Sequence, residues 1–267
     1  MIKYNTPQEL FTAICNSIRN KTNSNELINH QDIPDKIDKL LTSNDIKLFI
    51  DSAIQGKNTI CYSFNNTTIT KISSKIFATT NLTNIDLLEC TSIGNGAFEG
   101  CTNLTTVNLP KCTSIGSCAF CGCTNLTTID LPECTVIDSS PHHTVGTINC
   151  LNLTTINLPK CISIKDNVFS NCTNLTTVNL PKCTSIGEYA FSGCNNLQII
   201  ILGADQIVDI SSFTFIYASI NNGTGYIYVP DNLVDSYKTA TNWSSYANQI
   251  KPISELPSNL KEEYGYD

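Results

Sequence analysis

Cysteine is the side chain with most chemistry to offer in this 267-residue chain, which holds fourteen of them. A thiolate is a nucleophile, a soft metal ligand and half of a disulfide, so spacing decides among these uses. Ten of the cysteines form two series. Cys90, Cys112, Cys134, Cys161 and Cys183 make one; Cys101, Cys123, Cys150, Cys172 and Cys194 make the other. Within each series the step is 22 residues, except for one step of 27. Thiols at a fixed interval along a stack do not converge on a point, which argues against a metal, and parallel side-chain vectors work against disulfides between neighbours. The spacing predicts two ladders of buried, reduced thiols filling small apolar slots. Cys118 and Cys121 stand apart in "CAFCGC". Other units place Gly96, Asn167 or Tyr189 in the first slot and Glu99, Ser170 or Ser192 in the second. Those are surface letters, so both thiols are expected to be exposed. This C-x-x-C lacks the partner set that zinc or redox work would need.

Other catalytic chemistry is sparse. Only three histidines are present, and no nucleophile–base pair, paired carboxylates or phosphate-cradling glycine loop stands out, so no enzymatic activity and no cofactor are expected. His142 and His143 are adjacent and cannot both face one point on a helix or strand. They read as part of a loop bulging from the third repeat unit.

The cysteine interval is the period of the whole central sequence. Five units run Leu82–Asn103, Leu104–Asn125, Leu126–Asn152, Leu153–Asn174 and Leu175–Asn196, each reading L-x-x-[IV]-x-L-x-x-C-x-x-I, usually followed by G-x-x-A-F and C-x-N-L. A period in the twenties is the mark of a solenoid. In the second unit Val107 and Leu109 alternate with Thr106 and Asn108, the pattern of a short strand with one buried face. Pro110 has no N–H for a ladder and stops it. Ile115, Ala119 and Phe120 point inward from a return path that reads as one or two helical turns. Gly122 reverses the chain, in a slot that also holds Gly100, Asn149, Asn171 and Gly193, residues that tolerate the left-handed region. One unit cannot bury this face alone, but stacked units bury each other's. Identity between units at Thr105, Thr106 and Asn108, which should face solvent, is left to recent duplication.

The ends differ. Thr6, Pro7 and Glu9 open an amphipathic helix carrying Leu10, Phe11, Ile14, Cys15 and Ile18, and a second short helix over 34–41 completes a helical hairpin. Near the C-terminus, a strand ended by Pro230 precedes apolar positions at Leu233, Val234, Tyr237, Trp243, Tyr246 and Ile250, suited to covering the last rung. The domain reading is a helical hairpin at 1–45, an α/β solenoid with short parallel strands at 46–220, and a helical cap at 221–267.

Composition bounds the partners. Net charge is −7 with no Lys/Arg cluster, against a nucleic-acid partner. No run of about eighteen apolar residues would enter a membrane. The N-terminus lacks the apolar stretch of a secretion signal, so the chain is expected to be made in a cytoplasm and, if it acts outside, to leave by another route such as lysis. A strand face would display Asn84, Thr106, Thr128, Thr155 and Thr177 beside Asp86, Asn108, Asp130, Asn157 and Asn179, edged by Glu89, Lys111, Glu133, Lys160 and Lys182. Such a face can hydrogen-bond a protein or glycan ligand; it is also what any solvated sheet displays.

"LTTVNLPKCTSIGSCAFCGCTNL" and its sibling units resemble the BspA-type leucine-rich-repeat family over about residues 60–220. Asp138 and Lys165 in the glycine slot and the longer third unit depart from the pattern. "LFTAICNSIRNKTNSNELINHQDIPDKIDKL" resembles a short helical module that begins many tail-associated phage and prophage proteins of gut Firmicutes, and "GYIYVPDNLVDSYKTATNWSSYANQIKPISEL" is similar to the ending of the same group. The resemblance implies a virion or cell-surface protein that binds without catalysis. The concave sheet face, through Thr106, Asn108, Lys111, Thr128, Asp130, Glu133, Thr155, Asn157, Lys160, Thr177, Asn179 and Lys182, is the candidate ligand surface. The alternative is a spacer or decoration protein docked on a larger assembly through its N-terminal hairpin.

Overall fold

The computed structural model describes residues 60–63, 70–72, 74–75, 77–79, 82–139 and 146–266. The hairpin read over 1–45 and the loop carrying His142 and His143 lie outside the described residues. In chain order the strands are β1 (Ile60–Ser63), β2 (Lys71–Ile72), β3 (Leu82–Asp86), β4 (Ser92–Ile93), β5 (Thr106–Asn108), β6 (Ser114–Ile115), β7 (Thr128–Asp130), β8 (Val136–Ile137), β9 (Thr155–Asn157), β10 (Ser163–Ile164), β11 (Thr177–Leu180), β12 (Ser185–Ile186), β13 (Ile199–Leu202), β14 (Asp209–Ile210), β15 (Tyr226–Val229) and β16 (Ile250–Pro252). Two short helices follow β15 and β16: α1 (Val234–Thr239) and α2 (Ser258–Tyr264).

The strands stand in two columns. The first runs β1-β3-β5-β7 and, as a separate sheet, β9-β11-β13-β15-β16; the second is one sheet of seven two-residue strands, β2 through β14. All pairings are parallel, and like positions meet: Val107 lies opposite Ile85 and Ile129, and Val178 opposite Ile156 and Ile200. Each rung therefore lays its Leu, Ile, Val and Phe on the same residues of the next, and these side chains fill one continuous core. Phe77, Phe98 and Phe120 stack at 5.3 Å between centroids, as do Phe169, Phe191 and Phe215 at 5.4 and 5.8 Å. The third unit lacks the Ala-Phe pair and puts Thr147 and Ile148 there, both fully buried, so an aliphatic side chain separates the two aromatic stacks.

The return path is not helical. It is a chain of single i→i+3 turns, such as Ala97 N–H to Gly94 O at 3.2 Å and Cys101 N–H to Phe98 O at 3.1 Å. In five units a pair of left-handed residues interrupts any helix. One series holds Thr79, Gly100, Gly122, Asn171, Gly193 and Tyr217; Asn149, read into this slot, is not left-handed. The other holds Lys75, Gly96, Cys118, Asn167 and Tyr189. The glycine before the second series has its own cause. A Cβ on Gly116 would stand 2.5 Å from Asn95 Oδ1, the atom that accepts the Ser117 N–H at 3.0 Å. Asp166 does the same for the Glu188 N–H at 2.8 Å beneath Gly187.

Both thiol series are buried, and each sulfur is used. Cys112 donates to Ser114 O at 3.3 Å within its rung, and Cys123 to Phe98 O at 3.1 Å one rung back; the other eight repeat these bonds. Burial pushes the thiols of Cys112, Cys161 and Cys172 up to about 12, so they stay protonated.

The C-terminal segment closes the last rung. The Trp243 indole N–H donates to Val208 O at 2.7 Å, the Tyr237 hydroxyl accepts from Val208 N–H at 2.9 Å, and the Asn242 amide donates to Ile210 O at 2.6 Å. These bonds satisfy backbone groups that would otherwise wait for another rung. Trp243 and Tyr246 pack against Phe215.

Candidate binding face

The outward residues of the first column form the predicted ladder. Thr106, Thr128, Asp130 and Asn157 are exposed, and Asn108, Thr155 and Thr177 half-buried; Lys111, Lys160 and Lys182 are exposed and Glu133 half-buried at the edge. Adjacent rungs bond through this layer. The Asn108 amide donates to Asp86 Oδ1 at 2.9 Å, and the Asn179 amide to Asn157 Oδ1 at 2.9 Å. Thr105 Oγ donates at 3.0 Å to Thr83 O or Asn84 Oδ1. Identity at Thr105 and Asn108 therefore has a structural cause that duplication alone does not supply. Each repeats a bond from rung to rung.

Asn179 departs from the expectation. It is only 2% exposed. The Tyr266 hydroxyl, 87 residues later in the chain, donates to its Oδ1 at 2.9 Å. Beyond it the polar ladder gives way to Ile199, Ile201 and Tyr228. Leu256, Leu260, Tyr264 and Tyr266 pack over these as a second small core. The C-terminal segment thus covers the outer face from β11 to β15, while Thr106, Thr128, Asp130 and Asn157 on β5, β7 and β9 stay exposed.

Within the open part lies a discontinuity. β7 and β9 share no ladder, whereas β8 and β10 behind them pair normally. Side chains cross the gap instead: Lys160 Nζ to Glu133 at 2.6 Å, and the Asn152 amide to Asn125 Oδ1 at 3.3 Å. Asp130 and Asn157 flank it, both exposed. Lys111 pairs with Glu89 at 2.7 Å in the same manner. Among the described residues no group of three His, Cys, Asp or Glu could hold a metal ion, and no helix is long and apolar enough to cross a membrane.

Cys118 and Cys121 also depart from their reading. Cys118 is half-buried, but Cys121 is 5% exposed and donates to Gly146 O at 2.9 Å. Nothing in the local sequence marks this burial, because it depends on how the longer third unit rejoins the stack.

The parallel rungs, their 22-residue step and the inward Leu/Ile/Cys/Phe pattern match the BspA type Leucine rich repeat region in six copies, over residues 70–141 and 148–242. The chain belongs to this family. BspA-type leucine-rich-repeat proteins are typically surface or binding proteins, and their solenoid is typically non-enzymatic. Among solved structures, the chain is similar to a leucine rich repeat protein of T. pallidum at 21% identity, with 60% of this chain and 75% of that one covered and a TM-score of 0.47. It is also similar to a leucine rich cell surface protein of Faecalibacterium prausnitzii at 26% identity, with 55% and 47% covered and a TM-score of 0.38. A leucine-rich repeat protein of Bacteroides ovatus matches at 17% identity, covering 69% and 64%, with a TM-score of 0.32. No curated protein matches significantly.

Proposed function

We propose that this BspA-type protein is a non-enzymatic binding protein of a virion or cell surface. It takes a protein or glycan ligand on the outer face of the first column between β3 and β9. One observation carries the reading: the chain covers the apolar end of that face with its own C-terminal segment, while Thr106, Thr128, Asp130 and Asn157 stay exposed on the preceding rungs. Fixed strands hold donors and acceptors there at strand spacing, so a ligand meets an ordered surface and loses little side-chain freedom in the protein. The gap between β7 and β9, with Asp130 and Asn157 beside it, is the most irregular part of the face and the part where shape selection is strongest.

The test uses labelled full-length protein on a printed array of bacterial and mucosal glycans and on intact bacterial cells. Binding that falls at least about tenfold in the triple variant Thr128→Lys, Asp130→Lys, Asn157→Lys, with unchanged circular dichroism, supports the reading. Folded wild-type protein that binds neither probe, or binding indifferent to the triple variant, overturns it. A spacer docked through residues 1–45 would instead lose incorporation into its assembly when that segment is deleted and be untouched by the triple variant.

A further inference from the structure

The thiols of Cys118 and Cys121 lie outside the ladders, and they are arranged differently from the ten within them. A ladder thiol has its nearest fellow one rung away, about 4.8 Å along the stack, with parallel side-chain vectors. Cys118 and Cys121 lie in one turn. The Cys121 N–H donates to Cys118 O at 3.2 Å, which closes an i→i+3 turn. Such a turn holds its end Cα atoms within about 7 Å, overlapping the range a disulfide spans. The Cys121 thiol lies near enough to Cys118 for that side chain to act on it. Cys118 sits in the left-handed region at φ 54° and is half-buried, so it is open to a reagent, while Cys121 lies behind it at 5% exposure. The turn does not need the thiols. The same bond is made by Glu99 N–H to Gly96 O at 3.1 Å and by Ser192 N–H to Tyr189 O at 3.1 Å.

We infer that Cys118 and Cys121 form an oxidisable dithiol: the turn closes into a disulfide by exchange with a small disulfide such as oxidised glutathione, while the ladder thiols stay reduced. The Cys118 thiolate attacks one glutathione sulfur, breaking the glutathione S–S bond and releasing one glutathione thiolate. The Cys121 sulfur, losing its proton to solvent, then attacks Cys118 Sγ in the mixed disulfide and displaces the second glutathione. Two protein thiols are oxidised, one glutathione disulfide is reduced to two thiols, and the protons are conserved. Closure has a structural consequence. Cys121 no longer has a proton to donate to Gly146 O, so the reduced protein carries a bond between the second and third units that the oxidised protein lacks.

The experiment equilibrates the full chain in glutathione buffers of rising oxidised fraction, quenches with acid, alkylates free thiols after unfolding and maps the peptides by fragmentation mass spectrometry. The expected product is a Cys118–Cys121 link, lighter by two hydrogens, in about tenfold excess over any link within the ladders. Cys121→Ser should stop at the glutathione adduct on Cys118, and Cys118→Gly should take up no glutathione in this turn. Both substitutions copy residues that other units carry in these slots, so they keep the fold. Hydrogen exchange at residues 146–150 should speed up in the oxidised wild type and not in oxidised Cys118→Gly. Cys118 and Cys121 both alkylated at every ratio, ladder thiols linking first, or a Cys121→Ser variant without adduct would overturn the inference.

Discussion

The outer face of the first column is two surfaces on one scaffold. From β3 to β9 its rows are Thr, Asn and Asp, exposed at Thr106, Thr128, Asp130 and Asn157. From β13 to β15 the same positions hold Ile199, Ile201, Tyr226 and Tyr228, and the tail packs over all but Tyr226, which stays half exposed under the Lys251 ammonium. The apolar interior runs through both halves, with Leu197, Ile200 and Leu202 where the earlier rungs place Leu104, Val107 and Leu109, although the thiol ladders end at Cys183 and Cys194. Stacking is thus set by what points in, and the fate of the face by what points out. Asn179 marks the border, bonded to Asn157 on one side and to Tyr266 on the other.

High pH should erase the distinction, with the largest effect. Burial raises the thiols of Cys112, Cys161 and Cys172 from 9.0 to about 12, and the phenols of Tyr237 and Tyr266 from 10.0 to about 12. Each group holds its proton more tightly folded than unfolded. Stability is therefore full below pH 9 and falls as pH rises toward 12. Urea midpoints from pH 8 to 12 should drop steeply, and a flat profile would contradict the buried ladders.

The next effects separate the halves. Trp243→Ala removes a core aromatic and the donor to Val208 O, and should cost about 3–5 kcal/mol in urea unfolding. Leu260→Ala touches only the covered half and should cost about 2 kcal/mol, with dye binding rising as Ile201 and Tyr228 become wet. Tyr266→Phe, leaving the ring but freeing Asn179 Oδ1, should cost about 1 kcal/mol. Lys160→Ala acts in the open half, where the pair with Glu133 is solvated, and should cost less than about 1 kcal/mol and less still in high salt. If Leu260→Ala and Lys160→Ala had equal effects, the two surfaces would not differ as described.

The sequence makes the rungs legible because their cause is periodic. Leu104, Val107, Cys112 and Ile115 recur at the spacing their packing requires, and Pro110 ends its strand for a reason visible in one residue. The ladder thiols are readable for the same cause. What escapes reading depends on distant or aperiodic partners. Asn179 looks like its siblings until Tyr266 folds over it. Cys121 shares a slot with Glu99 and Ser192, and is buried through Gly146 of a longer unit. The second left-handed series is hidden because its slot holds Lys75, Cys118 and Tyr189 beside Gly96 and Asn167, so no glycine column announces it; without it, the spacing of Ile115, Ala119 and Phe120 imitates a helix.

The interruption between β7 and β9 has a consequence for how the molecule comes apart. In a linear array of nearest-neighbour contacts, disorder started at one end spreads until it meets a weak junction. Here that junction has lost its hydrogen-bonded ladder on one side and keeps β8 and β10 joined on the other. Fraying that starts from the N-terminal rungs stalls at this boundary, and the capped C-terminal block outlives it as a separate cooperative unit.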